Sequence, residues 1–142
     1  MLVSTRGRYA LQVMIDLAEH YNGKCIPIKD IAKRQDLSLK YLEQILPILS
    51  RNNLVTSVHG KSGGYRLNRI PEKYKVGEIL RLAEGDLIPV SCMSGEESDK
   101  FGDSDHGTMK MWNDFYKLTN DFFDSITIAD LMNKGTSNDY VI

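Results

Sequence analysis

The first 51 residues contain three runs in which apolar side chains recur with the period of an α-helix. In the first, residues 10–21 follow the i, i+3, i+4, i+7 pattern after Thr5, a suitable capping residue, and a turn at Gly23 ends the run. A shorter run covers residues 28–35, and Ser38 can cap the third. Two helices joined by so short a turn make a helix-turn-helix unit, which we predict for the second and third runs.

The third run is predicted to bury one face of its helix and to bend near its middle. Five large apolar side chains recur on that face: Leu39, Leu42, Ile45, Leu46 and Leu49. Pro47 lacks an amide donor and its ring clashes with the carbonyl of Glu43, so we expect a kink there. The Asn-Asn pair at residues 52–53 ends the helix.

Residues 54–69 change period and form two short β-type runs around a glycine-rich segment at 60–64. Glycine reaches the positive φ values that a hairpin turn needs, so a two-stranded wing is predicted. A fourth helix over residues 77–84 follows, and Gly85 closes it. Three helices followed by a hairpin are the order of a winged helix-turn-helix. The predicted fold class is therefore mainly α with a small β-hairpin.

A wide apolar and aromatic stripe recurs later in the chain, beyond a polar loop. Its members are Met109, Trp112, Phe115, Leu118, Thr119, Phe122 and Phe123. This stripe predicts a long helix that either packs against its twin in a dimer or folds back on its own domain. We favour the dimer, because a winged helix already has a closed core and large apolar stripes seek partners. A capping-box-like segment at residues 127–130 predicts a last short helix.

Charge is divided unevenly along the chain. The formal net charge is -1, but residues 1–75 hold 13 Lys and Arg against 6 Asp and Glu, whereas residues 76–142 hold 5 against 13. A basic half is what a polyanion-binding surface requires. The two cysteines, Cys25 and Cys92, form no spacing pattern and predict no disulfide framework. No apolar run is long enough to cross a bilayer, so we expect a cytoplasmic protein without a membrane partner.

The candidate chemistry is that of nucleic-acid recognition and not of catalysis. In a helix-turn-helix the second helix enters the major groove, where its N-terminal residues reach base edges. In this chain these residues are Ser38, Lys40, Tyr41, Glu43 and Gln44. On spacing alone, Glu43 can equally be a solvated helix residue. No nucleophile-base pair, phosphate loop or paired acids indicate an enzyme.

Two further groups of residues are predicted to contact phosphates. The wing offers side chains and backbone amides to the DNA backbone or the minor groove. These wing residues are His59, Lys61, Gly63, Gly64 and Arg66. At the start of the first helix, Thr5, Arg6 and Arg8 place cationic side chains and free amides where a phosphate can bind.

Several segments together resemble the Rrf-two family of bacterial winged-helix transcription regulators. They are STRGRYAL (4–11), LSLKYLEQIL (37–46), LVTSVHGKSGGYRL (54–67), VGEILRLAEG (76–85), PVSC (89–92) and ITIADL (126–131). The resemblance implies a homodimer joined through the long helix, with expected interface residues Met109, Trp112, Phe115, Leu118 and Phe122. It also implies a palindromic double-stranded DNA operator, a repressor role, and base reading by Tyr41, Glu43 and Gln44.

The wing position of this family falls on His59, where members similar to the cluster regulator usually carry arginine. A neutral imidazole attracts the negative minor groove less than a guanidinium does. We therefore expect weaker operator binding that tightens as pH falls through the range in which an imidazole titrates. An unchanged affinity and pH dependence in His59→Arg would contradict this.

The resemblance also implies a sensor loop. Cluster-binding members hold an iron-sulfur cluster on three cysteines, with five residues between each cysteine and the next. In this chain Cys92 fills the first position, and the same spacing falls on Ser98 and Ser104. Serine replaces a thiolate poorly, so no cofactor is expected in the chain as written. A 2Fe-2S cluster is expected only if both serines are cysteines in the native protein.

Two origins of those serines stay open: replaced cysteines at a real cluster site, or a natural clusterless relative. His106 lies two residues after Ser104, not three as in histidine-ligated members, and Arg8 stands where other members have an acidic ligand. The terminal Ile142 allows a further alternative, a clusterless regulator of cysteine metabolism that binds the cysteine-synthesising sulfhydrylase through its tail. The other alternative is an iron-sulfur redox sensor in its native form, whose chemistry lies in the loop at Cys92 and in which DNA binding is secondary or lost.

We therefore divide the chain into four segments. They are a winged helix-turn-helix DNA-binding domain (1–85), a sensor-type loop (86–107), a dimerisation helix with a short C-terminal helix (108–135) and a flexible tail (136–142).

Overall fold

A computed structural model of the protein describes residues 3–88 and 106–132. Its elements follow the order expected of a winged helix with an added long helix. They are α1 (Thr5–Glu19), α2 (Ile28–Gln35), α3 (Leu39–Arg51), β1 (Val55–Val58), β2 (Gly64–Leu67), a 3-10 turn (Pro71–Lys73), α4 (Val76–Glu84), α5 (His106–Asp124) and α6 (Ile128–Leu131). None of the helices within these residues is long and apolar enough to cross a membrane.

The helix α1 runs through the centre of the domain and contacts α2, α3, α4, α6 and β2. Its N-cap is Ser4 and not the predicted Thr5, and it ends at Glu19. Tyr21, predicted on the buried face, is 59% exposed. The chain leaves the helix early because Ile26 must reach β2, where it exchanges backbone hydrogen bonds of 2.8 and 2.9 Å with Tyr65.

One closed apolar core lies between α1, the helix-turn-helix and the wing. Its buried side chains include Val13, Met14, Leu17, Ile31, Leu42, Leu46, Leu49, Leu54, Tyr74 and Ile128. A smaller cluster of Val76, Leu80 and Leu87 continues it toward α5, where Phe123 packs against it. This burial is the main force that sets the helices in place.

The helix α3 has the predicted cap and a smaller buried face than predicted. The Ser38 hydroxyl accepts a hydrogen bond from the Tyr41 amide at 3.1 Å, which stabilises the first turn. The helix continues through Pro47 to Arg51. Four of the five predicted inward side chains are buried, but Leu39 is 39% exposed. Leu39 is the first residue of the helix, so it lies at the end of the buried face.

The wing is an antiparallel hairpin in which Val55 pairs with Leu67 and Val58 with Gly64. Gly64 has a φ of +152°, and a side chain there would put its Cβ 2.2 Å from the carbonyl oxygen of Ile26. Only glycine therefore allows the Ile26 segment to lie against the hairpin. This contact, which the sequence pattern did not predict, fixes the wing to the start of α2.

A buried phenol and a partly exposed ion pair hold the core elements in register. Tyr74 donates a hydrogen bond to the carbonyl of Leu54 at 2.7 Å and accepts from the amides of Asn68 and Arg69. Burial raises the pKa of the Tyr74 phenol. The guanidinium of Arg69 lies 5.0 Å from the ring centroid and forms an ion pair with Glu78 at 3.0 Å. The segment after the wing is thereby tied to both β1 and α4.

Polar contacts attach the C-terminal half of the long helix α5 to α4 and to the residues just after it. Arg81 contacts Asp124 at 2.6 Å and Asn120 at 2.9 Å, and the Tyr116 hydroxyl donates to Asp86. The short helix α6 follows, and its predicted capping box at residues 127–130 is present. The face of α5 that carries these contacts is therefore held against its own domain.

Candidate DNA-binding surface

The N-terminal part of α3 presents a polar, exposed surface. Ser38, Lys40, Glu43 and Gln44 are all exposed there. The Ser38 oxygen accepts the Tyr41 amide, so its hydroxyl proton stays available to a phosphate or a base. Carboxylate and amide groups can pair with cytosine and adenine edges, and a lysine with guanine. The predicted base-reading residues thus lie side by side at the start of one helix.

Tyr41 differs from its neighbours because it is half-buried. Its ring packs edge-on against that of Tyr9, with 5.1 Å between the ring centroids. Tyr41 therefore also fixes the start of α3 against α1, a role that the sequence pattern did not assign to it.

An ion pair between a buried carboxylate and a partly exposed arginine holds the helix-turn-helix unit against α1. Asp16 is fully buried, and Arg34 of α2 donates to both of its carboxylate oxygens at 2.8 and 2.9 Å. Gln35 adds a third hydrogen bond at 3.0 Å. The hydrogen bond with Asp16 raises the pKa of Arg34, which stays charged. The sequence could have indicated this ion pair, because Asp16 lies between apolar positions of an amphipathic helix. A carboxylate buried at such a position requires a cationic partner.

The wing places three predicted side chains in solvent. His59, Lys61 and Arg66 are exposed at the hairpin. A shallow cleft of about 420 Å³ lies between the wing and the start of α2, and Lys29 lines it together with His59 and Lys61. Lys29 was missed because a lone exposed lysine on a short helix carries no signal of its own. The cleft combines cationic groups from two elements, as a phosphate-contacting surface requires.

The two wing glycines have different roles. The Gly63 amide donates to the carbonyl of Gly60 at 3.0 Å inside the turn. This amide is therefore not free to bind a phosphate, and the prediction that Gly63 contributes a phosphate contact is wrong for the backbone amide. Gly64 is needed for the close approach of the Ile26 backbone.

The start of α1 differs most from its prediction. Thr5, Arg6 and Arg8 are exposed, but the Glu84 carboxylate already occupies the helix N-terminus. The same Glu84 oxygen accepts from the Ser4 amide at 2.8 Å, the Ser4 hydroxyl at 2.5 Å and the Gly7 amide at 3.1 Å. A carboxylate satisfies a helix N-terminus as a phosphate would. Of the amides at this helix start, those of Ser4 and Gly7 donate to Glu84 and that of Arg8 donates to the Ser4 carbonyl, so the predicted contribution of the Arg8 amide is corrected.

Most of the predicted cluster loop lies outside the described residues. This holds for Cys92, Ser98 and Ser104. His106 begins α5, and its side chain is not described. Among the described residues no group of three His, Cys, Asp or Glu can hold a metal ion. One thiolate and two neutral hydroxyls do not fit the ligand set of an iron-sulfur cluster.

A second surface is the outer face of α5. Four large apolar side chains recur there at intervals of four, three and four residues and are 42% to 69% exposed: Met111, Phe115, Leu118 and Phe122. Met109 and Trp112 are half-buried, so the seam is rotated from the predicted stripe and includes Met111. An exposed seam with this spacing is typical of helices that pack against a partner helix.

The whole folded region matches proteins of known class. Residues 3–134 match Rrf2, described as "Iron-dependent Transcriptional regulator". The chain is 35% identical over 133 residues to the HTH-type transcriptional regulator IscR of Erwinia tasmaniensis, covering 94% of this chain and 79% of that protein.

Solved structures of regulators from the same class superpose on this chain. CymR, the global cysteine regulator of B. subtilis, superposes with a TM-score of 0.80 at 32% identity, covering 95% of this chain and 98% of that chain. T. potens IscR superposes with a TM-score of 0.73 at 41% identity, covering 92% and 85%. The predicted fold class and the absence of an enzyme function are confirmed by these relatives. The chain belongs to the Rrf2 family of DNA-binding, winged-helix transcriptional regulators.

Proposed function

We propose that the protein is a cytoplasmic repressor that binds a palindromic DNA operator as a homodimer. The observation that carries the proposal is the exposed start of α3, where Lys40, Glu43 and Gln44 stand beside one another, in a domain whose wing also exposes cationic side chains. This surface is polar without being uniformly basic, which favours reading of base edges over charge attraction alone. Residues 1–85 are the proposed DNA-binding domain.

The homodimer is supported by the outer seam of α5. Arg81 and Asp86 hold the inner face of this helix, so within residues 3–88 and 106–132 the domain packs on that face and leaves the seam exposed. A second copy of the same helix offers a matching seam, since an isologous interface pairs one patch with itself. Two recognition helices related by this symmetry would match two half-sites of a palindrome.

Operator selection from random duplex DNA, followed by fluorescence anisotropy on the selected site, tests the proposal. We expect saturable binding whose log affinity falls linearly with log salt between roughly 50 and 200 mM, because phosphate contacts release counterions. Glu43→Ala should relax the preference at one base pair of each half-site, with a loss of about 1–3 kcal/mol there.

The control is Glu72→Ala, which removes an exposed carboxylate from the 3-10 turn and should leave the preference intact. Failure to select any sequence, or binding that does not respond to salt, would overturn the proposal. An unchanged preference in Glu43→Ala would remove Glu43 from the readout and leave it a solvated helix residue.

We further propose that the chain as written holds no stable cluster, with Cys92 as the one remaining thiolate of the loop. Anaerobic reconstitution with iron and sulfide should give no cluster absorbance in this chain, and absorbance when Ser98 and Ser104 are both changed to Cys. Strong visible absorbance from the unmodified chain would contradict the proposal.

A clusterless regulator of cysteine metabolism is the second candidate. Its support is the superposition on CymR, described as a global cysteine regulator, together with serine at both loop positions. A sulfhydrylase partner for the tail at 136–142 is part of this candidate, and that segment lies outside the described residues. The selected operator discriminates, because the genes beside it would belong either to cysteine supply or to cluster assembly.

A further inference from the structure

We infer that Leu39 reads the methyl group of a thymine in each operator half-site. The inference rests on the proposed function, and it adds an apolar contact to a recognition surface that sequence patterns describe as polar. Leu39 is the first residue of α3, directly after the capping Ser38, and 39% of its surface is exposed. It therefore lies where a recognition helix meets base edges.

The folding of α3 does not explain an exposed leucine at this position. A helix start is often closed by an apolar pair that flanks the cap, one residue before it and four residues after it. In this chain those positions are Leu37, which packs against the core, and Leu42, which is fully buried. Leu39 is thus an additional apolar group on a surface of hydroxyl, ammonium, carboxylate and amide groups.

The neighbours of Leu39 identify what can cover it. Lys40, Glu43 and Gln44 are exposed around it, and all three suit the floor of the major groove. The apolar feature of that floor is the C5-methyl group of thymine, which aliphatic side chains contact. A leucine placed among base-reading groups can therefore make an apolar contact with a thymine methyl group. The other base edges present no methyl group for it to contact.

The helix geometry also predicts where the thymine lies. Leu39 and Glu43 are four residues apart, so they occupy the same face with about 5–6 Å between their Cβ atoms. Successive base pairs are separated by about 3.4 Å along the duplex. The thymine should therefore lie within about two base pairs of the position whose recognition depends on Glu43.

The test replaces each thymine of the selected operator, one symmetric pair at a time, by deoxyuridine, which removes only the methyl group. At one thymine, we expect the replacement to lower the affinity of the unmodified protein about four-fold per half-site. This factor corresponds to the loss of one buried methyl group. Leu39→Ala should lose a similar factor on the thymine operator and become insensitive to deoxyuridine at that position. Leu39→Met, which retains apolar reach, should keep the sensitivity.

Ile70→Ala is the matched control, since Ile70 is an aliphatic residue 59% exposed outside the α3 surface. It should keep the full deoxyuridine response, and circular dichroism should show that Leu39→Ala stays folded. A half-site without thymine, an operator indifferent to every replacement, or a Leu39→Ala protein with the original response would overturn the inference. Absence of any sequence-specific binding would overturn the proposed function itself, so the two failures are distinguishable.

Discussion

At the scale of single residues, Glu84 has the most consequential side chain that sequence patterns did not identify. It lies at the end of α4 and accepts three hydrogen bonds from the start of α1, about 80 residues earlier in the chain. Gly7 allows this approach, because a Cβ at that position would lie 2.5 Å from the Glu84 carboxylate. The contact places a carboxylate at the helix start where a phosphate was predicted, and it ties the start of α1 to the end of α4.

Removing the Glu84 charge should weaken the fold measurably. We expect Glu84→Gln to lower the free energy of unfolding by about 0.5–1 kcal/mol through the lost interaction with the helix dipole. Glu84→Ala should cost about 1–2 kcal/mol, because the capped amides then lose their acceptor. Urea unfolding followed by circular dichroism measures both changes.

The matched control is Glu72→Gln, which neutralises an exposed carboxylate of the 3-10 turn. A surface change of this kind should stay within about 0.5 kcal/mol. Equal losses for Glu84→Gln and Glu72→Gln would show that the contact does not stabilise α1.

At the scale of elements, local pattern predicted α2 with its exact bounds and located α3, the wing and α4 to within one or two residues. The reason is that the period, the Ser38 cap and the turn glycines each act over a few neighbouring residues. The same reasoning misplaced Leu39, because period alone cannot say how wide the buried face of a helix is. That width depends on what packs against α3, namely α1, α2, α4 and β1.

The helix α5 shows the same limit more clearly. Its stripe of apolar residues was predicted, but only part of the stripe faces its own domain. Phe123 packs against the domain, while Phe115, Leu118 and Phe122 point outward with Met111. A single helix sequence does not separate an inner from an outer apolar face, and the position of α4 decides this division.

At the scale of the whole molecule, the outer seam of α5 predicts a change of oligomeric state on mutation. Leu118 is 69% exposed in the single chain, so Leu118→Glu should leave the fold intact. In the proposed homodimer it would place two charges in an apolar interface. A loss of about 2 kcal/mol at each site would raise the dimer dissociation constant roughly a thousand-fold. Sedimentation equilibrium measures that constant.

Asn113→Glu is the control for this variant, because it adds the same charge to an exposed position of α5 outside the seam. It should stay dimeric and bind the palindromic operator as the unmodified protein does. A Leu118→Glu protein with an unchanged dissociation constant would refute the α5 interface, whereas DNA binding through single half-sites would remain possible.

The sequence by itself determined the order of the elements and the basic character of the N-terminal half, since periodicity, caps, turn residues and charge are properties of neighbouring residues. Its motifs carried the resemblance to the family. Only the tertiary structure decided that Glu84 fills the start of α1, that Arg34 neutralises the buried Asp16, and that Leu39 stays exposed. Each of these depends on which elements the core brings together. Contacts of that kind are set by packing of the whole chain, and no local pattern encodes them.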